Sequence, residues 1–333
     1  MFLPQKLYGV IGDPIEHSLS PLLHNTAFQA VGAAAVLLPW RIAAEHLADF
    51  VAAVRLLPIA GACVTIPHKE RIAPLLDRLT PLARAVGAVN TLYWDGGDLV
   101  GHNTDVEGFV QPLSARGGFS SALILGAGGA ARAVLAGLLT LPELRRILVA
   151  ARRQEQARAL IAGVRPLPGG AAHVHSPQAA PQTVPAAVPP TLPLAAPACA
   201  PASAPVVEAV PWDSRHDLTA DLIINTTPIG MSSGPAASAS PFTEFRGHGL
   251  AYDLIYQATP FLRSARAAGW DVLNGRDMFA AQAAAQFTLW TGLPLPDAAH
   301  AALDEALRES KALWQSEAPR QPEASRQPAE TNL

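Results

Sequence analysis

An α/β fold containing a doubly wound parallel sheet is predicted by two features of the chain. Short apolar strand signals alternate with helical stripes along most of its length, and such alternation implies parallel pairing with helices on both faces. A glycine-rich turn, Gly126-Ala127-Gly128-Gly129-Ala130-Ala131, falls between one such strand and one such helix. A length of 333 residues sets a prior of about two domains.

Composition narrows the class further. Half of the residues are hydrophobic and 15% are charged, which excludes a wholly disordered chain. A net charge of −3 offers no basic face for a nucleic acid. The longest apolar runs, such as Val31–Leu38 and Ala133–Leu139, fall short of the ~18–20 residues of a membrane span. The opening Met1-Phe2-Leu3-Pro4-Gln5-Lys6 has no charged head followed by a long apolar segment, so no secretory signal is expected. Two cysteines, Cys63 in a predicted strand and Cys199 in a Pro/Ala-rich tract, argue against a disulfide framework and for a reducing cytoplasm. Basic residues are 21 Arg against 3 Lys (Lys6, Lys69, Lys311), which marks a biased composition in which each lysine draws notice.

The first third reads as strand Tyr8–Gly12, helix Pro21–Val31 capped by Ser20, strand Val36–Trp40, helix Ala43–Leu56 and strand Ile59–Thr65. Leu47, Phe50, Val51 and Val54 form one stripe of the second helix. A short helix at Pro81–Val86 precedes Val89–Trp94 and Leu99–His102, which flank Asp95-Gly96-Gly97 as a hairpin. From Asp105 a helix leads into a second unit. Its expected strands are Ala122–Leu125, Arg146–Ala150, Asp221–Asn225 and Leu250–Ile255, with helices to about Leu139 and over Gln154–Ala162. Helices Asp277–Trp290 and Asp297–Trp314 close the pattern. Residues 166–211 hold 12 of the 31 prolines and one charged residue, Glu208, which predicts an extended, disordered insertion. The polar tail 316–333 is expected to be disordered as well.

The glycine-rich turn fits G-x-G-x-x-G/A. Its first glycine allows the tight turn, its second lets a phosphate approach the backbone, and Ala131 permits close helix–strand packing. The helix N-terminus then offers free N–H groups to a pyrophosphate. An NAD site usually carries an acid at the end of the next strand, to hold the ribose hydroxyls. Here that stretch is Val149-Ala150-Ala151-Arg152-Arg153. Two guanidinium groups suit the 2′-phosphate of NADP, which arginine binds in a charge-assisted, bidentate way.

The N-terminal third carries Gly12-Asp13-Pro14-Ile15-Glu16-His17-Ser18-Leu19-Ser20-Pro21-Leu22-Leu23-His24-Asn25 and Val64-Thr65-Ile66-Pro67-His68-Lys69. Further along come Gly87-Ala88-Val89-Asn90-Thr91-Leu92, Gly101-His102-Asn103-Thr104-Asp105, Asn225-Thr226-Thr227-Pro228-Ile229-Gly230-Met231, Tyr252-Asp253-Leu254-Ile255-Tyr256, Gly275-Arg276-Asp277-Met278 and Gln282. Together with the glycine-rich turn, and in this order over about residues 7–292, this set resembles the shikimate dehydrogenases. The resemblance implies an N-terminal α/β substrate-binding domain and a Rossmann-type doubly wound NADP-binding domain with a cleft between them, the C-terminal helices returning to the first. The division it implies is 1–104 plus 277–315 for the substrate domain and 105–276 for the nucleotide domain. The implied reaction is the reversible NADPH-dependent reduction of 3-dehydroshikimate to shikimate, on the route to chorismate and the aromatic amino acids. Its partner is that small-molecule substrate, with no nucleic acid, no membrane and no metal, in a cytoplasmic monomer or homodimer.

Site residues follow by the same resemblance. Lys69 is the general acid/base, assisted by Asp105. Reduction of a ketone needs a hydride on carbon and a proton on oxygen, and a cation beside that oxygen also stabilises developing alkoxide charge. Ser18 and Ser20 bind the substrate carboxylate, and Thr65, Asn90, Asp105, Tyr256 and Gln282 bind the ring hydroxyls or the carboxylate. On the cofactor side stand Gly126, Ala127, Gly128, Gly129 and Ala130, Arg152 and Arg153 for the 2′-phosphate, Asn225, Thr226 and Thr227 along the groove, and Leu254 and Gly275 near the nicotinamide. Two departures from the family pattern stand out: Cys63 where Asn is usual, which removes an amide near the site, and Arg153 where Thr is common. Quinate oxidation, often NAD-linked within the family, is the near alternative. A non-catalytic sensor of shikimate-like ligands is the alternative from another class, and such a protein would have no need to keep both Lys69 and Asp105.

Overall fold

The computed structural model describes residues 3–114, 116–165, 204–231 and 238–316. Among them, twelve strands form two six-stranded sheets. The first sheet contains β1 (Lys6–Gly12), β2 (Ala35–Arg41), β3 (Ile59–Val64), β4 (Arg78–Leu79), β5 (Thr91–Asp95) and β6 (Asp98–His102), in the order β2-β1-β3-β5-β6-β4. β1 pairs in parallel with β2 and β3, while β5 runs antiparallel to β3 and β6. The crossover helices are α1 (Ser20–Ala30) and α2 (Leu47–Leu56), followed by the short α3 (Pro81–Val86). The predicted α2 stripe is buried, its four residues packing with Ile59, Val64 and Leu92.

The second sheet follows α4 (Asp105–Val110). Its elements are β7 (Ser121–Leu125), α5 (Gly129–Leu138), β8 (Arg146–Ala151), α6 (Gln154–Gly163), β9 (Val206–Pro211), β10 (Leu222–Asn225), β11 (Leu250–Asp253), α7 (Pro260–Ala267) and β12 (Asp271–Leu273). The order is β12-β11-β10-β7-β8-β9 and every pairing is parallel. Counted from β7, this is the 3-2-1-4-5-6 order of a Rossmann fold, which reverses direction between β7 and β10. Side chains such as Leu123, Ile124, Leu148, Val149, Ile223 and Ile224 are buried on both faces, as a covered parallel sheet requires.

The last two helices, α8 (Gly275–Thr291) and α9 (Asp297–Ser316), return to the first sheet. Ala283, Phe287 and Trp290 of α8 and Ala299 and Leu303 of α9 share a core with Tyr8, Val10, Leu23 and Phe28. The Trp290 indole N–H donates to the Leu92 carbonyl at 3.0 Å and ties α8 to β5.

Two expectations are corrected. The disordered insertion was expected to run to 211, but Val206–Pro211 is β9, paired with β8 from Arg146↔Val206 to Ala151↔Pro211. An edge strand tolerates a terminal proline, because the missing N–H need not face a neighbour. Positions 166–203 of that expectation, and 317–333 of the expected tail, lie outside the described residues. Ser20 does not cap α1: it is the first helical residue, preceded by Leu19, and no side chain caps that end. Among the described residues, no helix is long and apolar enough to cross a membrane.

Candidate active site

The loops after β1 and β3 leave the same end of the first sheet and are stitched together. Thr65 N–H donates to the Ile11 carbonyl and Asp13 N–H to the Ile66 carbonyl, both at 2.9 Å. Nε2 of the buried His68 lies 2.7 Å from the Ile42 carbonyl, and the Lys69 carbonyl accepts Val89 N–H at 2.7 Å. Lys69 is thus carried on a segment pinned on both sides. Its Nζ donates to Asp105 Oδ2 at 2.5 Å. The two side chains are 15% and 7% exposed, so the pair is largely shielded from solvent screening.

A buried polar network fixes the carboxylate. Asn90 Nδ2 donates to Asp105 Oδ1 at 2.9 Å and to Thr104 Oγ1 at 2.8 Å, with Gln282 Oε1 at 3.5 Å. Asn90 Oδ1 accepts the Thr104 N–H and the Thr91 hydroxyl, both at 2.8 Å. The Asp105 N–H donates to Asn103 Oδ1 at 3.0 Å. Gln286, one helical turn beyond Gln282, donates to Thr91 Oγ1 at 3.0 Å and to the Asn90 carbonyl at 3.3 Å. Every polar atom of the Asn90 amide is therefore engaged, and its first effect is to aim Asp105 at Lys69.

Four of the sequence-predicted residues (Lys69, Asp105, Asn90 and Gln282) meet in this network. Ser18 and Ser20 meet each other instead: Ser20 N–H donates to Ser18 Oγ at 3.3 Å, leaving Ser18 half-buried and Ser20 buried. Ser20 reaches the network through Cys63, whose thiol neighbours its hydroxyl and donates to Gln286 Oε1 at 3.3 Å. A thiol thus takes up a hydrogen-bonding role at the position where an amide was expected, and burial pushes its pKa up, so it stays protonated. Thr65 is half-buried at the end of β3. Tyr256 packs on Phe279, three residues before Gln282 on α8, with ring centroids 5.7 Å apart.

The nucleotide side is built at the switch between β7 and β10. Gly126 has φ +113°, a conformation that only glycine adopts cheaply. A Cβ there would meet Thr226 Oγ1 at 2.6 Å, because Thr226 folds over the turn and donates to the Leu125 carbonyl at 2.8 Å. Gly128 is exposed and a Cβ on it would touch nothing, so the approach to the α5 N-terminus is open. Ala127, Gly129 and Ala130 are half-buried around it. Arg152 and Arg153 are exposed at the end of β8, and neither guanidinium makes a hydrogen bond or ion pair to another described residue. These features fit a phosphate-bearing dinucleotide. Asn225 is fully buried beneath the turn. Its Nδ2 donates to Asp253 Oδ1 at 3.0 Å and its Oδ1 accepts the Thr227 N–H and hydroxyl, so it shapes the groove while the half-buried Thr226 and Thr227 line it.

Gly275 opens α8 against the loop after β11. A Cβ there would stand 2.0 Å from the Leu254 carbonyl oxygen. Gly275→Ala is expected to displace the Leu254–Tyr256 loop and to cost about 1–3 kcal/mol of stability, as overpacking does. Urea unfolding measures it, and an unchanged midpoint would mean that the loop yields freely.

The two halves meet at Lys69. Its Cβ and Cδ lie 3.7 and 3.8 Å from where a Cβ on Gly129 would stand, so the lysine stem runs across the glycine-rich turn. A Rossmann sheet whose phosphate turn faces a shielded lysine–carboxylate pair on a second α/β sheet defines a two-part, dinucleotide-dependent oxidoreductase. Residues 10–92 match the pattern of the shikimate dehydrogenase substrate binding domain, and residues 275–299 that of the shikimate 5'-dehydrogenase C-terminal domain. A shikimate dehydrogenase (NADP(+)) of Oleidesulfovibrio alaskensis is 44% identical over 313 residues, covering 92% of this chain and 97% of the relative. The chain belongs to the shikimate dehydrogenase family. Among solved structures, the Thermus thermophilus shikimate 5-dehydrogenase in complex with NADP(H) and shikimate superposes with a TM-score of 0.69 at 33% identity, over 91% of this chain and all of that one. A Corynebacterium glutamicum quinate dehydrogenase in complex with NAD reaches the same TM-score at 27% identity, over 91% of this chain and 98% of its own.

Sequence reasoning missed Gln286, Thr91 and Thr104 in the network, and the ion pair between Glu70 and Arg132. The i, i+4 spacing of Gln282 and Gln286 was the available signal for the first.

Proposed function

We propose that the chain catalyses the reversible, NADPH-dependent reduction of 3-dehydroshikimate to shikimate. The observation that carries this is the Lys69–Asp105 pair at 2.5 Å, lying across the turn that opens the nucleotide site. When bound, the cofactor supplies the hydride. Lys69 Nζ holds the proton for the substrate oxygen and stabilises negative charge there. Asp105, aimed by Asn90, orients the ammonium and accepts from a ring hydroxyl. Ser18 and Ser20 hold the carboxylate, while Thr65, Tyr256 and Gln282 complete the pocket. The division into a substrate domain (1–104 plus 277–315) and a nucleotide domain (105–276) is supported by the two sheets and by the return of α8 and α9 to the first. The reading extends to a cytoplasmic enzyme, working as a monomer or homodimer, that feeds chorismate and aromatic amino acid synthesis.

Absorbance at 340 nm with shikimate or quinate, each with NADP or NAD, tests the reading. Fast turnover confined to shikimate and NADP is the expected result. Turnover with quinate or NAD would move the chain to the quinate branch, and ligand binding without turnover would favour a sensor. The two free arginines set the cofactor choice. Arg152→Ala or Arg153→Ala is expected to raise the KM for NADP about tenfold, since a charge-assisted hydrogen bond contributes about 1.5–3 kcal/mol, and to leave the KM for NAD unchanged. Equal effects on both cofactors would remove the 2′-phosphate from this reading.

A further inference from the structure

Glu70 directly follows Lys69, and its Oε2 lies 3.1 Å from Arg132 Nη2. Arg132 belongs to the first turn of α5, the helix whose N-terminus opens the nucleotide site. A cation is disfavoured at that end of a helix by the helix dipole, so an arginine there needs a compensating carboxylate. Glu70 supplies it from the other sheet. The guanidinium, 17% exposed, is also wedged among backbone segments. Its Nη1 lies 2.8 Å from where a Cβ on Gly163 would stand, at the end of α6, and 3.3 Å from the same point on Gly87, at the end of α3 and three residues before Asn90. Beside it, Arg165 N–H donates to the Ala85 carbonyl at 2.9 Å, joining the end of α6 to α3. One turn of α5 therefore holds the lysine segment twice: Gly129 lies under the Lys69 stem and Arg132 grips the neighbouring carboxylate.

We infer that the Glu70–Arg132 ion pair positions Lys69, locking the segment that carries it onto the first turn of α5 so that its ammonium meets the substrate oxygen. The inference rests on the functional reading above and adds a positioning pair to it. A lysine stem has four rotatable bonds, and its base must be fixed before its tip can be. Misplacement of a reacting group by about 1 Å can cost about 10²-fold in rate. The pair touches neither Lys69 Nζ nor Asp105, so its loss should spare ligand binding and act on turnover.

The test uses the full chain with shikimate and NADP, comparing Glu70→Gln, Arg132→Met, Arg132→Lys and the double variant Glu70→Gln/Arg132→Met. Glu70→Gln and Arg132→Met are each expected to lower kcat about tenfold, with the KM for each ligand changed by less than about threefold. Arg132→Lys, which keeps the charge, should retain most of kcat. The double variant should be no slower than the poorer single, because both remove one contact. Arg132→Met could loosen the fold through Gly87 and Gly163, so the half-exposed Glu70→Gln carries the decision, with its thermal midpoint expected to stay at that of the unaltered chain. An unchanged kcat in Glu70→Gln overturns the inference. So do losses that multiply in the double variant, or a defect confined to the KM for NADP, which would assign Arg132 to the cofactor phosphates. An unaltered chain inactive with shikimate would overturn the functional reading and this inference with it, whereas an active chain with unaffected variants overturns the inference alone.

Discussion

Lys69→Met is expected to lower kcat by about 10²–10⁴-fold, the range that a positioned proton donor contributes. The ketone oxygen must gain a proton as carbon gains the hydride, and Lys69 is the cation held at the glycine-rich turn by a carboxylate, 2.5 Å from Nζ to Oδ2. Methionine keeps the length and apolar stem of lysine and removes the ammonium. Shikimate affinity, followed by tryptophan fluorescence, should change far less than kcat, since the carboxylate and most hydroxyl contacts are made elsewhere. Asp105→Asn should also lower kcat, because Lys69 Nζ then faces an amide and Asn90 loses the anion it aims. Removing one member of a shielded ion pair leaves the other charge uncompensated, so both variants should melt earlier. Their rates must be compared well below those midpoints. A fall in kcat of less than tenfold for Lys69→Met would pass the proton to another group.

Much of the fold was legible because its signals are local. Strands β7, β8, β10 and β11 are short apolar runs buried on both faces, and the glycine-rich turn announces the helix after β7. α7 escaped notice although Thr259 and Pro260 mark its start, and three strands with weaker signals escaped as well. β4 and β12 have two and three residues, too few for any periodicity. β9 lies at the end of a proline-rich stretch, and its Val206, Val207, Ala209 and Val210 sit on an edge strand paired only with β8, so their apolar run was masked by the prolines around it. The site divides in the same way. Lys69 and Asp105 are 36 positions apart, and no spacing rule pairs them; the family motifs did. Arg132 in the first turn of α5 breaks the usual charge preference of a helix start, and its reason appears only where the fold brings Glu70 across from the other sheet.

Acid should destabilise this protein through two buried histidines. His24 is fully buried among Phe28, Phe287 and Trp290, with Nε2 3.3 Å from Gln286 Oε1 and Nδ1 without a partner among the described residues. His102, at the end of β6, has Nδ1 2.8 Å from Thr80 Oγ1, and its buried Nε2 has no partner among the described residues. Burial disfavours the charged imidazole and lowers both pKa values from 6.5 to about 4. A depressed folded pKa contributes stability that is present above pH 6.5 and lost as pH falls toward 4. The buried Asp253 acts in the opposite direction. Burial raises its pKa from 3.8 to about 7, although it accepts from Thr259, Ile255 and Asn225, so its contribution is present at low pH and lost as pH rises through 7. Between about pH 6.5 and 4.5 the unfolded chain holds two protons on the histidines, and the folded chain holds one on Asp253. Unfolding then takes up protons, so stability should fall as pH is lowered through this range. Urea titrations at several pH values measure that slope. Asp253→Asn should steepen it. His24→Phe combined with His102→Gln should reverse its sign, leaving the carboxyls that burial raises, Asp253 and Glu107, and a slope unaffected by the histidine variants would place the acid sensitivity elsewhere.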